Sequence, residues 1–166
     1  ASGARTDTRN TQGFSPLLSA ADVGHSDICS LLLDAGADLE ERMTGSLYRP
    51  LHTAALYGRH SVVIVLISRG AEVDSLEHTG ASALHLACQE GHVTVALSLL
   101  QAGASLTLAK RDGSRPIHPA AQFNRTAVVR LLLEHGAEPD QVCTDEYYWL
   151  WQGQTGHRET GVIIFI

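Results

Sequence analysis

The chain has 166 residues, of which 44% are hydrophobic, and a net charge of −6 at pH 7. That length and apolar content suit a domain with a buried core. The acidic balance excludes a phosphate backbone as the main partner, and no apolar run reaches the roughly 18–20 residues of a bilayer-spanning helix, so neither nucleic acid nor membrane is an expected partner.

In chain order, Gly3-Ala4-Arg5 matches Gly36-Ala37-Asp38, 33 residues later. It reads as the end of a repeat whose helices are absent, so the chain is expected either to be cut from a longer array or to have lost its first repeat. Ser15 is placed to cap a helix that Pro16 opens. Leu17, Leu18, Ala20 and Ala21 form its packing stripe. Ile28, Cys29, Leu31, Leu32 and Leu33 predict a second apolar helix, which Gly36 ends by adopting positive φ. The loop 41–49 follows, carrying Met43, Leu47 and Tyr48. It is one residue longer than the other loops: Asp38 to Pro50 is twelve steps, whereas Glu72 to Ala83 and Ser105 to Pro116 are eleven. Such an insertion costs least at a loop tip. The β-branched run Val62–Ile67 reads as helix only because the repeat phase demands it.

Further on, Pro119 falls in the first turn of a helix, where a missing N–H is tolerated. Asn124 stands where other repeats have Gly, and Asn accepts left-handed backbone best after Gly. Beyond Asp140 the pattern decays. Tyr147–Trp151 holds four of the nine aromatic residues, and Val162–Ile166 is apolar. Residues 143–166 read as a degenerate fifth repeat or a C-terminal capping tail, with a foreign, adhesive tail as the alternative.

Two landmarks share one period. Pro16, Pro50, Ala83 and Pro116 are separated by 34, 33 and 33 residues, as are the Gly-Ala pairs at Gly36, Gly70, Gly103 and Gly136. Periods in this range signal a solenoid. The motifs are Pro50-Leu51-His52-Thr53-Ala54-Ala55, a Gly-His step, paired leucines and Gly-Ala-Asp. Together they resemble the ankyrin repeat over about residues 3–142. The resemblance implies an all-α solenoid of stacked helix-turn-helix units with hairpin-like fingers. The array would fill residues 1–142: a partial repeat at 1–12, then repeats at about 13–40, 41–74, 75–107 and 108–140. It further implies a non-catalytic protein–protein interaction module that binds a partner segment along the concave groove.

The residues offer little to other chemistry. Among nine histidines, His52, His85 and His118 share one phase, and His25 and His92 another. No pair lies four apart and no Cys/His ligand spacing appears, so no metal is expected. In the family the helix-start histidine is known for hydrogen bonding between repeats. There is no phosphate-binding glycine loop and no nucleophile elbow. The carboxylates sit at turn positions. No catalytic residue, cofactor or enzymatic activity is expected. The three cysteines lack ligand spacing, and no signal-peptide pattern opens the chain. Both point to an intracellular, cytoplasmic setting, with the nucleus also open. Of 12 basic residues Lys110 is the single lysine, which suits bidentate arginine contacts as well as codon bias.

Two departures from the repeat nominate a site. The cap position is Ser15 and Ser82 in two repeats but Arg49 and Arg115 in the others. Losing a cap costs about 1 kcal/mol, and a cation at a helix N-terminus costs roughly 0.3–1 kcal/mol more. A local rule broken without structural gain marks a functional position; tolerated drift is the alternative. With Arg9, Arg42, Lys110 and Arg111 these would form a basic strip along one edge. The second departure is aromatic. In this family the two residues after Ala-Ala face the groove, and here they include Tyr57 and Phe123, unless their rings lie against the next finger. The candidate protein-binding residues are therefore Arg42, Tyr48, Arg49, Tyr57, His78, Arg111, Arg115 and Phe123. The partner would be an acidic or mixed acidic–aromatic segment. The chain would be a monomer unless its C-terminal tail mediates association. Alternative roles are a regulatory or substrate-selecting arm of a larger enzyme or receptor, and a structural element that self-associates through the tail.

Overall fold

The computed structural model describes residues 8–11 and 13–138. The leading Gly3-Ala4 and the 143–166 tail lie outside them. The described residues form eight helices and no strand. They are α1 (Pro16–Val23), α2 (Ser26–Asp34), α3 (Pro50–Leu56), α4 (His60–Ser68), α5 (Ala83–Glu90), α6 (Val93–Gln101), α7 (Ile117–Gln122) and α8 (Thr126–Glu134). Helices this short are marginal alone, so stacking must hold them. Each odd helix packs on the even helix that follows it. The odd helices stack on one another as an inner row, and the even helices as an outer row.

Local chemistry sets the helix ends. Ser15 Oγ accepts the Leu18 N–H at 3.1 Å, and Pro16 occupies the first turn. Gly24, at φ 100°, ends α1 and donates its N–H to Ala20 O. Asn124 takes φ 55° at the equivalent place after α7. Pro119 sits in the first turn of α7 and is buried. The β-branched segment is helical because Val62, Val63 and Leu66 share one buried stripe at helical spacing. Leu17, Ala21, Leu51, Ala55, Leu84 and Cys88 carry the core along the inner row. The expected stripe on α2 is only partly realised: Cys29 is buried, but Ile28 is 46% and Leu31 67% exposed.

The fingers repeat one loop. Asn10, Glu77 and Lys110 each donate an N–H to the carbonyl four residues on, at 2.9, 3.0 and 2.9 Å. In the second finger Met43 N–H reaches five residues on, to Tyr48 O at 2.7 Å. The extra residue is therefore absorbed inside the loop, where Leu47 adopts φ 58°. Successive fingers are tied by backbone bonds from His78 N–H to Ser46 O (3.3 Å) and from Arg111 N–H to Thr79 O (3.1 Å).

Candidate functional site

The helix-start histidines build the frame on which the groove rests. Nδ1 of His52, His85 and His118 accepts the N–H of the residue three before it: Arg49 at 3.2 Å, Ser82 at 3.2 Å and Arg115 at 3.0 Å. This is the returning half of a capping box, with imidazole in place of a carboxylate. Nε2 must then carry the proton. It donates into the next finger, to Ser75 O at 3.0 Å from His52 and to Ser114 O at 3.1 Å from His85. Both nitrogens of these two rings are spent on the backbone, which leaves no lone pair for a metal. Burial lowers the pKa of His52, and lowers that of His85 to about 4. Among the described residues no group of three His, Cys, Asp or Glu could hold a metal ion.

Arg49 is placed differently from the expectation. It is buried, at 8% exposure. Its Nη1 lies 2.5 Å from Glu40 Oε2 and also contacts Glu72. Hydrogen bonds from Arg49 hold Glu72 below the usual carboxylate range. Glu40 in turn accepts the Glu72 N–H at 2.8 Å. The departure from a capping serine thus has a structural gain: one guanidinium clamps carboxylates of two consecutive fingers. Arg115 has no such pair, because Thr107 occupies the phase that Glu40 holds before Arg49. Arg115 is half-buried instead, lining a cavity of about 200 Å³ with Ile117, Ala137 and Glu138.

Much of the expected basic strip is compensated internally. Arg9 lies 3.7 Å from Glu41, and Lys110 lies 3.6 Å from Asp112. Arg42 and Arg111 remain exposed on the fingers. His78 Nδ1 lies between Ser46 O at 3.0 Å and Glu77 Oε2 at 2.5 Å. Two acceptors around one nitrogen require a proton on it, so this ring helps fasten the third finger to the second. Burial pushes the Glu77 carboxyl up, but hydrogen bonds from Thr79 and Ala81 outweigh that and hold it ionised.

The groove lies between fingers and inner helices. Tyr48, Leu56, Glu77, Leu86, Gln89 and Lys110 line a cavity of about 220 Å³ there. The Tyr48 ring sits 6.1 Å from His52, tilted by 30°. Its phenol is raised by burial and by the nearby Glu77 charge. Tyr57 and Phe123 end helices α3 and α7 and are 49% and 46% exposed.

Three further residues join the repeats. Arg59 Nε donates to Asp22 O at 2.8 Å, and Arg125 Nε to Gln89 O at 2.9 Å. His92 Nε2 lies 3.0 Å from Leu56 O. Each follows the turn residue of its own repeat and satisfies an orphan carbonyl ending the preceding inner helix. The signal for them was a basic side chain after Gly58, Gly91 and Asn124.

Paired helices, fingers and an open groove define a helical-repeat solenoid, the architecture of an interaction module. The comparisons specify which one. The family model described as ankyrin repeats (3 copies) matches residues 2–77 and 51–143, and the chain belongs to that family. Repeats of this kind mediate protein–protein interaction. The transient receptor potential cation channel subfamily A member 1 homolog of Caenorhabditis elegans is 33% identical over 81 residues. That match covers 49% of this chain and 6% of the channel homolog. No helix of the described residues is long and apolar enough to cross a membrane.

Proposed function

We propose that this chain is a non-catalytic docking module that holds a partner segment along the groove between its fingers and inner helices. The observation that carries this reading is the pair of half-exposed rings, Tyr57 and Phe123, at one phase two repeats apart. Between them lies the cavity lined by Tyr48 and Leu86. Interface centres favour aromatic and arginine anchors. Arg42 and Arg111, the exposed finger cations, supply contacts for acidic groups of the partner. Arg49 contributes rigidity rather than contact. The partner is therefore a mixed aromatic–acidic segment, with its apolar groups in the groove and its acids at the finger tips.

The test is a pull-down from lysate with the parent chain and with Tyr57→Ala/Phe123→Ala, quantified by mass spectrometry. A partner lost only with the variant supports the groove. A partner retained equally moves the site to the outer helices or the tail. The partial match to a much longer channel homolog favours a second reading, in which the module serves as the docking arm of a larger receptor.

A further inference from the structure

The groove cavity of about 220 Å³ has several times the roughly 30 Å³ that one water occupies. Its wall carries a buried carboxylate that the finger does not fully use. The Glu77 side chain is 1% exposed. Its Oε1 accepts the N–H of Thr79 and of Ala81, both at 2.9 Å, and the Thr79 hydroxyl. Those bonds hold the group ionised. Its Oε2 makes no hydrogen bond among the described residues. His78 Nδ1 is 2.5 Å away, but its one proton serves Ser46 O. The charge around this oxygen is negative on balance. Burial first, then Glu77, Tyr57 and Glu90, raise the Tyr48 phenol, so both carboxylates act on that ring. Lys110 also lines the wall, but Asp112 lies 3.6 Å from its ammonium and offsets it. Gln89 adds a second unused acceptor. Its Nε2 donates to Glu90 Oε1 at 2.9 Å, and its own Oε1 accepts nothing among the described residues.

We infer that this cavity, walled by Tyr48, Glu77 and Gln89, receives the guanidinium of an arginine on the partner segment. The inference rests on the docking reading above and adds one requirement to it: an arginine among the apolar residues that enter the groove. A cation there offsets Glu77 and Glu90, and a buried carboxylate attracts it strongly because water screens it little. The planar group can lie on the Tyr48 ring, as cations do on aromatic faces. Its forked N–H donors then face the unused acceptors of Gln89 and Glu77. Lysine fits less well, since an ammonium is a compact point charge that neither stacks nor forks. An acidic side chain would meet two carboxylates and a lysine already paired, so the partner's acids stay at the finger cations Arg42 and Arg111.

The experiment titrates the full chain with the Nα-acetyl amides of arginine, citrulline and glutamate and follows amide and ring shifts by NMR. Citrulline keeps the shape of arginine without its charge. The arginine probe should saturate at millimolar concentration, with shifts centred on Thr79, Leu86 and Gln89. Citrulline should bind at least ~10-fold more weakly. Glu77→Gln keeps an acceptor for Thr79 and Ala81 and should cost at least ~10-fold in arginine affinity. Tyr48→Leu leaves those finger bonds alone and should cost ~5-fold or more. It decides the matter if a melt shows that Glu77→Gln has loosened the finger. Citrulline or glutamate binding as well as arginine would overturn the inference. So would unchanged arginine affinity in either folded variant, or shifts that never saturate. None of these outcomes touches the docking reading, which fails instead when a partner survives Tyr57→Ala/Phe123→Ala.

Discussion

His85 Nε2 and the Ser114 carbonyl oxygen lie 3.1 Å apart, joining the inner helix of one repeat to the finger of the next. His52 and Ser75 repeat the bond at 3.0 Å. The bond needs a neutral ring, because Nδ1 is already an acceptor. The folded pKa of both rings is depressed, that of His85 to about 4 from the ordinary 6.5. The unfolded chain therefore binds more protons across that interval. The stability these rings contribute is complete above about pH 6.5 and is lost as pH falls below it, for His85 as pH approaches about 4. Each ring contributes a slope of up to about 1.4 kcal/mol per pH unit. Urea midpoints at about pH 7.5 and about pH 5 should differ accordingly, and a flat profile would show that the rings titrate normally.

Arg49 and Arg115 share a phase but should not share a fate. Replacing Arg49 by Ser restores a capping hydroxyl worth about 1 kcal/mol. It also leaves Glu40 and Glu72 without their common cation and empties space that a long buried stem had filled. A net loss on the order of 1 kcal/mol is expected, against a neutral or slightly stabilising Arg115→Ser. Denaturant midpoints of the two single variants decide it. Equal effects would mean that the clamp contributes nothing.

The backbone devices were legible in the sequence because they obey local rules. Pro119 in a first turn, Asn124 in place of Gly and the extra residue before Pro50 each announce a conformation without reference to partners. The half-exposed rings of Tyr57 and Phe123 were legible as exceptions to a repeating phase. Arg49 was not, because its carboxylates lie nine and 23 residues away, and only the stacked repeats bring them onto one guanidinium. The exposure of Ile28 was hidden for the opposite reason: periodicity assigns every repeat the same burial, whereas burial depends on the neighbour.

Gly58 and Gly36 separate strain from collision. Both take positive φ, 67° and 90°. A Cβ at Gly36 would meet nothing within 4 Å, but at Gly58 it would lie 2.6 Å from the His92 ring. That ring holds the Leu56 carbonyl. Gly36→Ala should cost about 1 kcal/mol from backbone strain alone. Gly58→Ala should cost about 2–3 kcal/mol, adding the lost hydrogen bond and displaced packing. Matched unfolding curves test this, and equal losses would remove His92 from the account.

The groove reading requires binding and stability to come apart. Tyr57 and Phe123 are about half exposed, so Tyr57→Ala/Phe123→Ala should shift stability by about 0.5 kcal/mol or less. If the rings anchor a partner, affinity should fall by about tenfold or more. Calorimetric binding to the recovered partner, beside a melt of each chain, reads both. A melt as damaged as the binding would make these rings core residues instead of contacts.

The buried thiols report how a stack opens. Cys29 and Cys88 are both fully buried. Burial pushes the Cys29 thiol up to about 11 and raises that of Cys88 as well. Near neutral pH neither is a nucleophile while folded, so a disulfide reagent must wait for opening. In a linear array each repeat is held only by its neighbours, and α2 lies against α4 while its Ile28 and Leu31 are exposed. With Cys143 replaced by Ser, Cys29 should react through local fraying at least tenfold faster than Cys88, whose inner helix is packed between two others. Labelling time courses resolved by peptide mass would show two rates. A single shared rate would mean that the repeats open together, and that the exposed face of α2 does not weaken the first pair.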